Sequence, residues 1–164
     1  MISDRSIYQN RITFLRKCYK MIKIICVGKL KEKYVCDGVN DYLKRISKYH
    51  KINLIEVNDS NINNEAVEII KYIDNRDYVI CLDILGNALT SLDLADRIDK
   101  IFISYPVITF VIGGSNGIRE DIKQRCNYRL SFSKLTFPHG LFRMILLEQI
   151  YRSFKILNNE SYHK

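Results

Sequence analysis

Apolar residues along this chain alternate between short continuous runs and runs at helical spacing. Continuous runs are typical of buried strands, and apolar positions three and four residues apart are typical of amphipathic helices. The strand-like runs are 22–28, 52–57, 78–84, 107–114 and 128–133. The helix-like segments are 32–48, 65–74, 91–103, 118–126 and 138–157. This alternation predicts an α/β domain with a mainly parallel sheet flanked by helices.

The last helix-like segment, 138–157, is apolar over more of its circumference than one face of a surface helix requires. Pro138 opens it, at a position where proline is well tolerated. Its apolar residues are Leu141, Phe142, Met144, Ile145, Leu146, Leu147, Ile150, Tyr151 and Phe154. We expect the sheet to cover one side of this helix and a second subunit to cover another.

Small and hydroxyl-bearing residues follow three of the predicted strands, in "LDILG" (82–86), "IGGSNG" (112–117) and "SFSKLTF" (131–137). Ligands of parallel sheets bind at the carboxyl ends of the strands. The three loops therefore predict a single site for an adenosine-sized ligand. Aliphatic side chains such as Leu82 and Leu135 are available to sandwich a purine, as is Ile84.

The glycines of the middle loop, Gly113, Gly114 and Gly117, form a GGxxG pattern. This pattern matches neither the GxxxxGK[ST] phosphate loop nor the GxGxxG dinucleotide fingerprint, so nucleotide hydrolysis and nicotinamide binding are disfavoured. Taken alone, the glycines fit a tight strand-to-helix turn that needs positive φ at least as well as they fit a ligand loop.

Composition narrows the class of protein only modestly. The chain has 164 residues, 47% hydrophobic and 27% charged, as expected for a globular domain. Its net charge of +8 is compatible with an RNA partner or with a solvated basic surface. No window approaches the ~18 apolar residues of a membrane span. The five cysteines form no CxxC pair and the three histidines are scattered, so we expect reduced, mostly buried cysteines, a cytoplasmic location and no metal site.

Residues 1–20 differ in character from the rest of the chain. They are rich in arginine and lysine, contain one acidic residue and lack the apolar segment of a secretory signal. Met21 then opens the first predicted strand. We expect 1–20 to be a leader or an extension from a start codon assigned too early, and 21–164 to be the folded domain. A transit peptide or a basic RNA-binding arm is the alternative.

Several segments, in one order, resemble the RlmH-type ribosomal RNA methyltransferases of the SPOUT class. They are "IKIICVGKLKEKY" (22–34), "FVIGGSNGI" (110–118), "LSFSKLTFPH" (130–139), "LEQIYRSFKI" (147–156) and "YHK" (162–164). The resemblance covers essentially all of 21–164. One departure is the short "SNINN" at 60–64, where such proteins usually carry a longer charged loop and helix. The resemblance therefore implies nothing about contacts of this segment with RNA or a partner.

The resemblance implies a C-terminal deep trefoil knot, although knots are rare, a homodimer, and S-adenosylmethionine as methyl donor. It implies methylation of N3 of pseudouridine 1915 in helix 69 of 23S rRNA on assembled ribosomes. It also implies cofactor contacts at Leu82, Gly113, Phe132, Ser133, Lys134, Leu135, Thr136 and Phe137.

Methylation of N3 requires the loss of its proton and a nitrogen in line with the methyl group. The candidates for this work are His139, Arg143, Tyr162 and His163. Each has a plainer interpretation. His139 could tie the preceding loop to the last helix, Arg143 could pair with Glu148 or another acid, and a terminal segment is often frayed. The resemblance favours a tail that reaches the active site or the RNA.

Two other functions remain as hypotheses from the sequence. One is a non-catalytic ribosome- or RNA-binding relative that has lost its cofactor, and the intact loops argue against it. The other is a nicotinamide-dependent oxidoreductase, and the failed GxGxxG pattern argues against it.

Overall fold

The computed structural model describes residues 20–163, and the extension predicted for 1–20 lies outside the described residues except for Lys20. Within 20–163, strands and helices alternate as the sequence predicts. The strands are β1 (Met21–Val27), β2 (Lys51–Val57), β3 (Asp77–Ala88), β4 (Val107–Ile112) and β5 (Tyr128–Ser131). The helices are α1 (Lys33–Ile46), α2 (Ile62–Lys71), α3 (Ser91–Ser104), α4 (Glu120–Arg125) and α5 (His139–Leu157).

The strands form one sheet in the order β2-β1-β4-β3-β5, and every neighbouring pair is parallel. The predicted α/β architecture with a parallel sheet flanked by helices is therefore confirmed. Because all strands run in the same direction, their carboxyl ends lie at one edge of the sheet. The three loops that the sequence singles out follow β3, β4 and β5 at this edge. The trefoil knot stays a prediction.

Each face of the sheet carries its own apolar core. Neighbouring residues of a strand point to opposite faces, so Ile24 packs under α1, α3 and α5, while Ile25 packs under α2 and α4. Both side chains are completely buried. Burial on both faces explains why the strands appear in the sequence as continuous apolar runs instead of alternating ones. None of the helices within 20–163 has the length and apolarity needed to cross a membrane.

The last helix, α5, packs against both α1 and α3 as well as the sheet. Its completely or almost completely buried apolar residues are Leu146, Leu147, Ile150 and Phe154. Met144 lies so close to Gly38 of α1 that a side chain at Gly38 would collide with its sulfur. Two helices of the same chain thus cover much of the wide apolar surface that the sequence shows. Cover by a second subunit stays a prediction.

Strand β3 extends beyond its predicted end at 84. Leu130 of β5 pairs with Leu82 and again with Asn87, so residues 83–86 leave the ladder and bulge out of the strand. We call residues 83–86 the β3 excursion. Gly86 is required there because a Cβ would lie 2.7 Å from the carbonyl carbon of Arg129. The glycine that marks a strand end in the sequence is instead part of this bulge.

A buried ionic cluster lies toward the opposite edge of the sheet. Lys23 of β1 is 6% exposed, and its Nζ donates to the Asp77 carboxylate at 2.9 Å and to the Tyr72 carbonyl at 2.7 Å. The Thr109 hydroxyl donates to the same carboxylate at 2.8 Å. This cluster joins β1, β3 and β4 far from the loops at the carboxyl edge.

Cys81 of β3 and Cys126, which follows α4, form a disulfide with Cα atoms 6.0 Å apart. The prediction that the cysteines are reduced is therefore wrong for this pair. The two residues are 45 positions apart in sequence, and only the packing of α4 on the sheet brings them together. Cys26 is free, and burial raises the pKa of its thiol to about 12.

Candidate functional site

A cavity of about 490 Å³ opens at the carboxyl ends of β3, β4 and β5. Its volume is in the range of small-molecule sites. All three loops that the sequence singles out contribute to its wall. The lining residues are Leu82, Asp83, Ile84, Ile112, Gly113, Gly114, Ser115, Gly117, Ile118, Lys123, Leu130, Phe132, Ser133, Leu135, Thr136, Phe137, His139 and Phe142.

Most of the predicted cofactor-binding residues line this cavity. They are Leu82, Gly113, Phe132, Ser133, Leu135, Thr136 and Phe137. The remaining one, Lys134, is exposed and does not contribute to the wall. The structure thus brings seven of the eight predicted contacts to one place, and their contact with a cofactor stays a prediction.

The glycine loop after β4 is a tight turn. The Gly117 N–H donates to the Gly114 carbonyl at 3.0 Å, and Gly117 has a φ of +77°. A Cβ on Gly113 would lie 2.5 Å from the Gly117 carbonyl oxygen. Backbone geometry alone therefore requires glycine at both positions, as the turn interpretation holds. Gly113 nonetheless forms part of the cavity wall, so the turn also exposes backbone to a ligand.

Asp83, a residue that sequence reasoning missed, anchors the β3 excursion. Its carboxylate accepts hydrogen bonds from the Leu85 N–H at 3.0 Å and from Arg129 Nη2 at 2.8 Å, and Lys123 Nζ lies 3.4 Å away. Burial alone would raise the pKa of Asp83, but these hydrogen bonds and cations together hold it below the ordinary value. The sequence offered one signal for this residue, which is an acidic side chain at the end of an otherwise apolar strand.

Two apolar side chains stand exposed on the cavity wall. Ile84 is 54% exposed on the β3 excursion, and Leu135 is 71% exposed on the loop after β5. Exposed apolar side chains that line a concave site gain free energy when a flat apolar group covers them. Their placement fits the predicted sandwich around a purine ring.

The loop after β5 is held against the start of α5 by aromatic side chains. The Phe137 ring stacks on Phe142 at a centroid distance of 5.8 Å, and Phe132 meets Phe142 edge-on at 5.3 Å. The Ser131 hydroxyl donates to the Ile84 carbonyl at 3.2 Å and so links this loop to the β3 excursion. Two walls of the cavity are therefore fixed to each other before any ligand binds.

His139 is the predicted catalytic residue that the structure places at the cavity. It is the first residue of α5, it is exposed, and it lines the cavity wall. Its ring makes no hydrogen bond to any residue within 20–163. A hydrogen-bonded tie between the loop and the helix is therefore not its role in this structure, and both ring nitrogens are available.

Arg143, also predicted to be catalytic, lies inside the protein and is 1% exposed. Its Nη1 donates to Glu56 Oε1 at 2.7 Å, and its Nη2 donates to the Gly28 carbonyl at 2.9 Å. Its acidic partner is Glu56 and not Glu148, which binds Arg152 instead. Arg143 does not line the cavity, so the geometry supports a positioning role. Direct participation in catalysis stays a prediction.

The tail residues Tyr162 and His163 pack on the middle of α5. The Tyr162 hydroxyl donates to Glu148 Oε1 at 3.1 Å, and His163 Nδ1 lies 3.3 Å from Arg152 Nη1. Burial and the acidic neighbour raise the pKa of Tyr162. Glu148 is nine residues beyond His139, roughly 14 Å along the helix axis. Within one chain, the structure does not bring these tail residues to the cavity.

A parallel α/β sheet with a ligand cavity between loops at its carboxyl edge defines a class of small-molecule-binding α/β proteins. The comparison with family models narrows this class. The model described as "Predicted SPOUT methyltransferase" matches residues 21–163. The chain therefore belongs to the SPOUT methyltransferase family.

Proteins named ribosomal RNA large subunit methyltransferase H are similar to this chain over nearly their whole length. Those of Clostridium botulinum (strain Okra / Type B1), Clostridium tetani and Finegoldia magna are 47%, 48% and 49% identical to it. Each comparison spans 157 residues, 87% of this chain and 99% of the relative.

Two solved structures share the fold at low sequence identity. A probable methylase family protein from Haemophilus influenzae matches with a TM-score of 0.53 and 14% identity, over 87% of this chain and 70% of that one. A probable methyltransferase from Bordetella pertussis matches with a TM-score of 0.50 and 7% identity, over 86% of this chain and 98% of that one. At these identities the likeness concerns the fold alone.

Proposed function

We propose that this chain is a cytoplasmic, S-adenosylmethionine-dependent methyltransferase that modifies N3 of pseudouridine 1915 in helix 69 of 23S rRNA on assembled ribosomes. The observation that carries the proposal is the cavity at the carboxyl edge of the sheet. Its walls are the loops through which the sequence resembles RlmH-type enzymes. Relatives with almost half of their residues identical bear the name of a ribosomal RNA methyltransferase.

The residues of the cavity fit S-adenosylmethionine. Ile84 and Leu135 offer exposed apolar surface to an adenine ring, and the turn at Gly113 offers backbone groups to its polar parts. Among the described residues, Asp83 is the only aspartate in the wall. Arg129 and Lys123 already neutralise it, so it does not disfavour a ligand with a carboxylate. When bound, S-adenosylmethionine supplies an electrophilic methyl group on a sulfonium.

His139 is the residue of this chain best placed to act on the target base. It stands exposed on the wall of the cavity, and its ring makes no hydrogen bond within the described part of the chain. A free imidazole nitrogen there can accept the N3 proton of the base or donate a hydrogen bond to the anionic ring. Positioning by the fixed walls supplies the alignment that methyl transfer needs.

We further propose that the enzyme is a homodimer in which the tail of one subunit completes the cavity of the other. Tyr162 and His163 lie beside Glu148 and Arg152, well away from the cavity of their own chain. A two-fold axis places equivalent surfaces in reciprocal contact, so a tail that cannot reach its own site can reach its partner's. Light scattering at micromolar concentration should give twice the chain mass, and a monomer would contradict this part of the proposal.

The test of the activity uses ribosomes that lack the modification. Purified protein, tritiated S-adenosylmethionine and unmodified ribosomes should place label in 23S rRNA, and mass spectrometry of fragments should locate the methyl group at N3 of pseudouridine 1915. Label elsewhere in 23S rRNA would overturn the specificity, and no label would overturn the activity. In a thermal-shift control, S-adenosylmethionine should stabilise the protein and NADH should not, whereas the reverse would favour an oxidoreductase.

A further inference from the structure

The segment from the end of β1 into the first turn of α1 carries a cluster of unpaired cations. Lys29, Lys31 and Lys33 are exposed, and none of them forms an ion pair within residues 20–163. We call residues 28–34 the lysine loop. Glu32 is the only acid in it. A cluster of exposed cations without internal partners is free to bind an external polyanion.

The lysine loop is held firmly although its lysines are exposed. The Gly28 N–H donates to the Val57 carbonyl at 2.8 Å, and the Gly28 carbonyl accepts from Arg143 at 2.9 Å. The Leu30 N–H donates to Glu56 at 3.2 Å, and the Leu30 side chain packs on the core. These contacts fix the backbone, so binding an anion does not require the loop to become ordered first.

The lysine loop lies beside the first turn of α5. A Cβ on Gly140 would lie 3.2 Å from Leu30 Cδ2 and 3.9 Å from Glu32 Oε2. Gly140 directly follows His139, which lines the cavity. A chain of nucleotides bound along the lysine loop would therefore pass close to the entrance of the cavity.

An aromatic side chain accompanies the cations. Tyr34 is 70% exposed, and its ring makes none of the aromatic contacts found within the described residues. Exposed aromatic rings next to lysines are typical of surfaces that stack unpaired bases while cations bind the backbone. The same ring has no evident role in the packing of α1.

We propose that the lysine loop is an RNA-binding surface, in which Lys29, Lys31 and Lys33 bind phosphates of the rRNA and Tyr34 stacks on a base next to the target nucleotide. This inference rests on the proposed function and assigns part of its substrate recognition. We favour RNA phosphates over an acidic protein partner for two reasons. The exposed aromatic ring can stack on a base, and the lysines occupy alternate positions along the loop, as suits a regularly spaced phosphate backbone.

The test replaces Lys29, Lys31 and Lys33 together by alanine and measures methylation of unmodified ribosomes. The KM for ribosomes should rise about tenfold or more, with kcat at saturation within about twofold of wild type. The slope of log affinity against log salt should become shallower by about two to three, since each lost phosphate contact removes ~0.7–0.9. The stabilisation by S-adenosylmethionine should be unchanged, which shows that the cavity is intact.

A matched control replaces by alanine three exposed lysines that form no ion pair within 20–163: Lys44 near the end of α1, Lys48 just after it and Lys51 at the start of β2. The two variants have equal net charge, and the length of α1, about 20 Å, separates the lysine loop from the end of the helix near which the control lysines lie. The control should keep the wild-type KM. An equal rise in both variants would overturn the lysine loop as a specific surface, as would an unchanged KM in the first variant.

Binding of a naked 23S rRNA fragment separates RNA from protein as the partner. Loss of this binding in the lysine-loop variant supports contact with RNA. If that variant binds the fragment as well as wild type but binds ribosomes weakly, the surface contacts ribosomal protein and the proposal is overturned. Failure of the wild-type protein to label 23S rRNA would overturn the proposed function, whereas labelling with an unaffected variant would overturn the lysine loop alone.

Discussion

Arg143 connects α5 to the carboxyl ends of β1 and β2. It contacts Glu56 and the carbonyls of Val27 and Gly28 from a position that is 1% exposed. Replacing Arg143 by alanine removes these contacts and leaves the Glu56 carboxylate, which is one-third exposed, without its cation. We expect the free energy of unfolding to fall by about 2–3 kcal/mol, measured by urea denaturation.

Arg45→Ala is the control for this prediction. Arg45 pairs with Asp41 at 2.7 Å, but both side chains are about half exposed. Solvent screens such a pair, so the variant should lose no more than about 0.5 kcal/mol. Equal losses in the two variants would contradict the view that Arg143 is a structural tie.

Asp83 predicts a pH dependence of stability. Because its pKa in the folded protein lies below the ordinary value of 3.8, the ionised carboxylate stabilises the fold at pH values above 3.8. This contribution is lost as the pH falls through the folded-state pKa. Asp83→Asn should therefore unfold at lower urea concentration than wild type at pH 6, and the difference should shrink progressively below pH 4.

Asp121→Asn separates this effect from acid titration in general. The Asp121 carboxyl also pairs with an arginine, Arg119, but it is about half exposed, so its replacement should change the urea midpoint little at any pH. A difference between Asp83→Asn and wild type that persists unchanged at pH 3 would show that Asp83 acts through packing and not through its charge.

The charged residues that sequence reasoning missed share one property. Lys23 and Asp83 each interrupt an apolar run, and each is satisfied by residues about fifty positions away in sequence. A sequence pattern predicts that these residues are buried. It does not predict their partners, because these lie on other strands and depend on the order of the strands in the sheet. The position of His139 at the start of α5 was predictable because it depends on local sequence, namely the proline that precedes it.

At the scale of elements, the turn after β4 depends on glycine for steric reasons. Gly113→Ala would place a methyl group 2.5 Å from the Gly117 carbonyl oxygen, and backbone must move to relieve the contact. We expect the variant to lose the stabilisation by S-adenosylmethionine in a thermal-shift assay, because the displaced turn forms part of the cavity wall.

Asn116→Ala lies in the same turn but outside the cavity wall, and it provides the control. Its side chain is exposed and makes no hydrogen bond to another described residue, so the turn should keep its shape. Normal stabilisation by S-adenosylmethionine in Gly113→Ala would contradict the steric argument, provided that the variant is folded.

The number and type of elements within 20–163 were predictable from periodicity, but some boundaries were not. The helix α3 starts where Thr90 forms a capping box with Asp93, a signal visible in the sequence. The β3 excursion was not predictable, because the rejoining of β3 and β5 at Asn87 depends on a neighbour strand from elsewhere in the chain. The sequence alone therefore places the end of β3 at 84 instead of at Ala88.

At the scale of the whole molecule, the proposed exchange of tails predicts complementation. Leu135→Glu should block the cavity, and the double replacement Tyr162→Ala, His163→Ala should disable the tail. Co-expressed variants that assemble at random form mixed dimers half of the time, and one of the two sites in each mixed dimer is intact. Methylation of ribosomes should therefore recover to about a quarter of the wild-type rate.

Each variant alone should be inactive, which sets the baseline for this experiment. Leu135 is 71% exposed, so its replacement should leave the fold intact. Mixed dimers that are isolated by two different tags and remain inactive would show that the tail does not complete the partner's cavity.

The position of the cavity was predictable from the sequence, because parallel strands gather their carboxyl ends at one edge. The identity of the ligand was not, because a cavity of this size and polarity suits many adenosine-containing molecules. That step depended on the resemblance of several separate segments to one family. The family model confirms the family, and S-adenosylmethionine as the ligand stays a proposal.

The place of β4 in the sheet has a consequence for how the chain is made. β4 lies between β1 and β3, and Met21 pairs with Val107, so the central strand emerges from the ribosome after both of its neighbours. Until then β1 has one open edge and β3 has no paired neighbour at all. The nascent chain therefore cannot close its sheet step by step, and a product that stops before Val107 displays strand edges that favour aggregation.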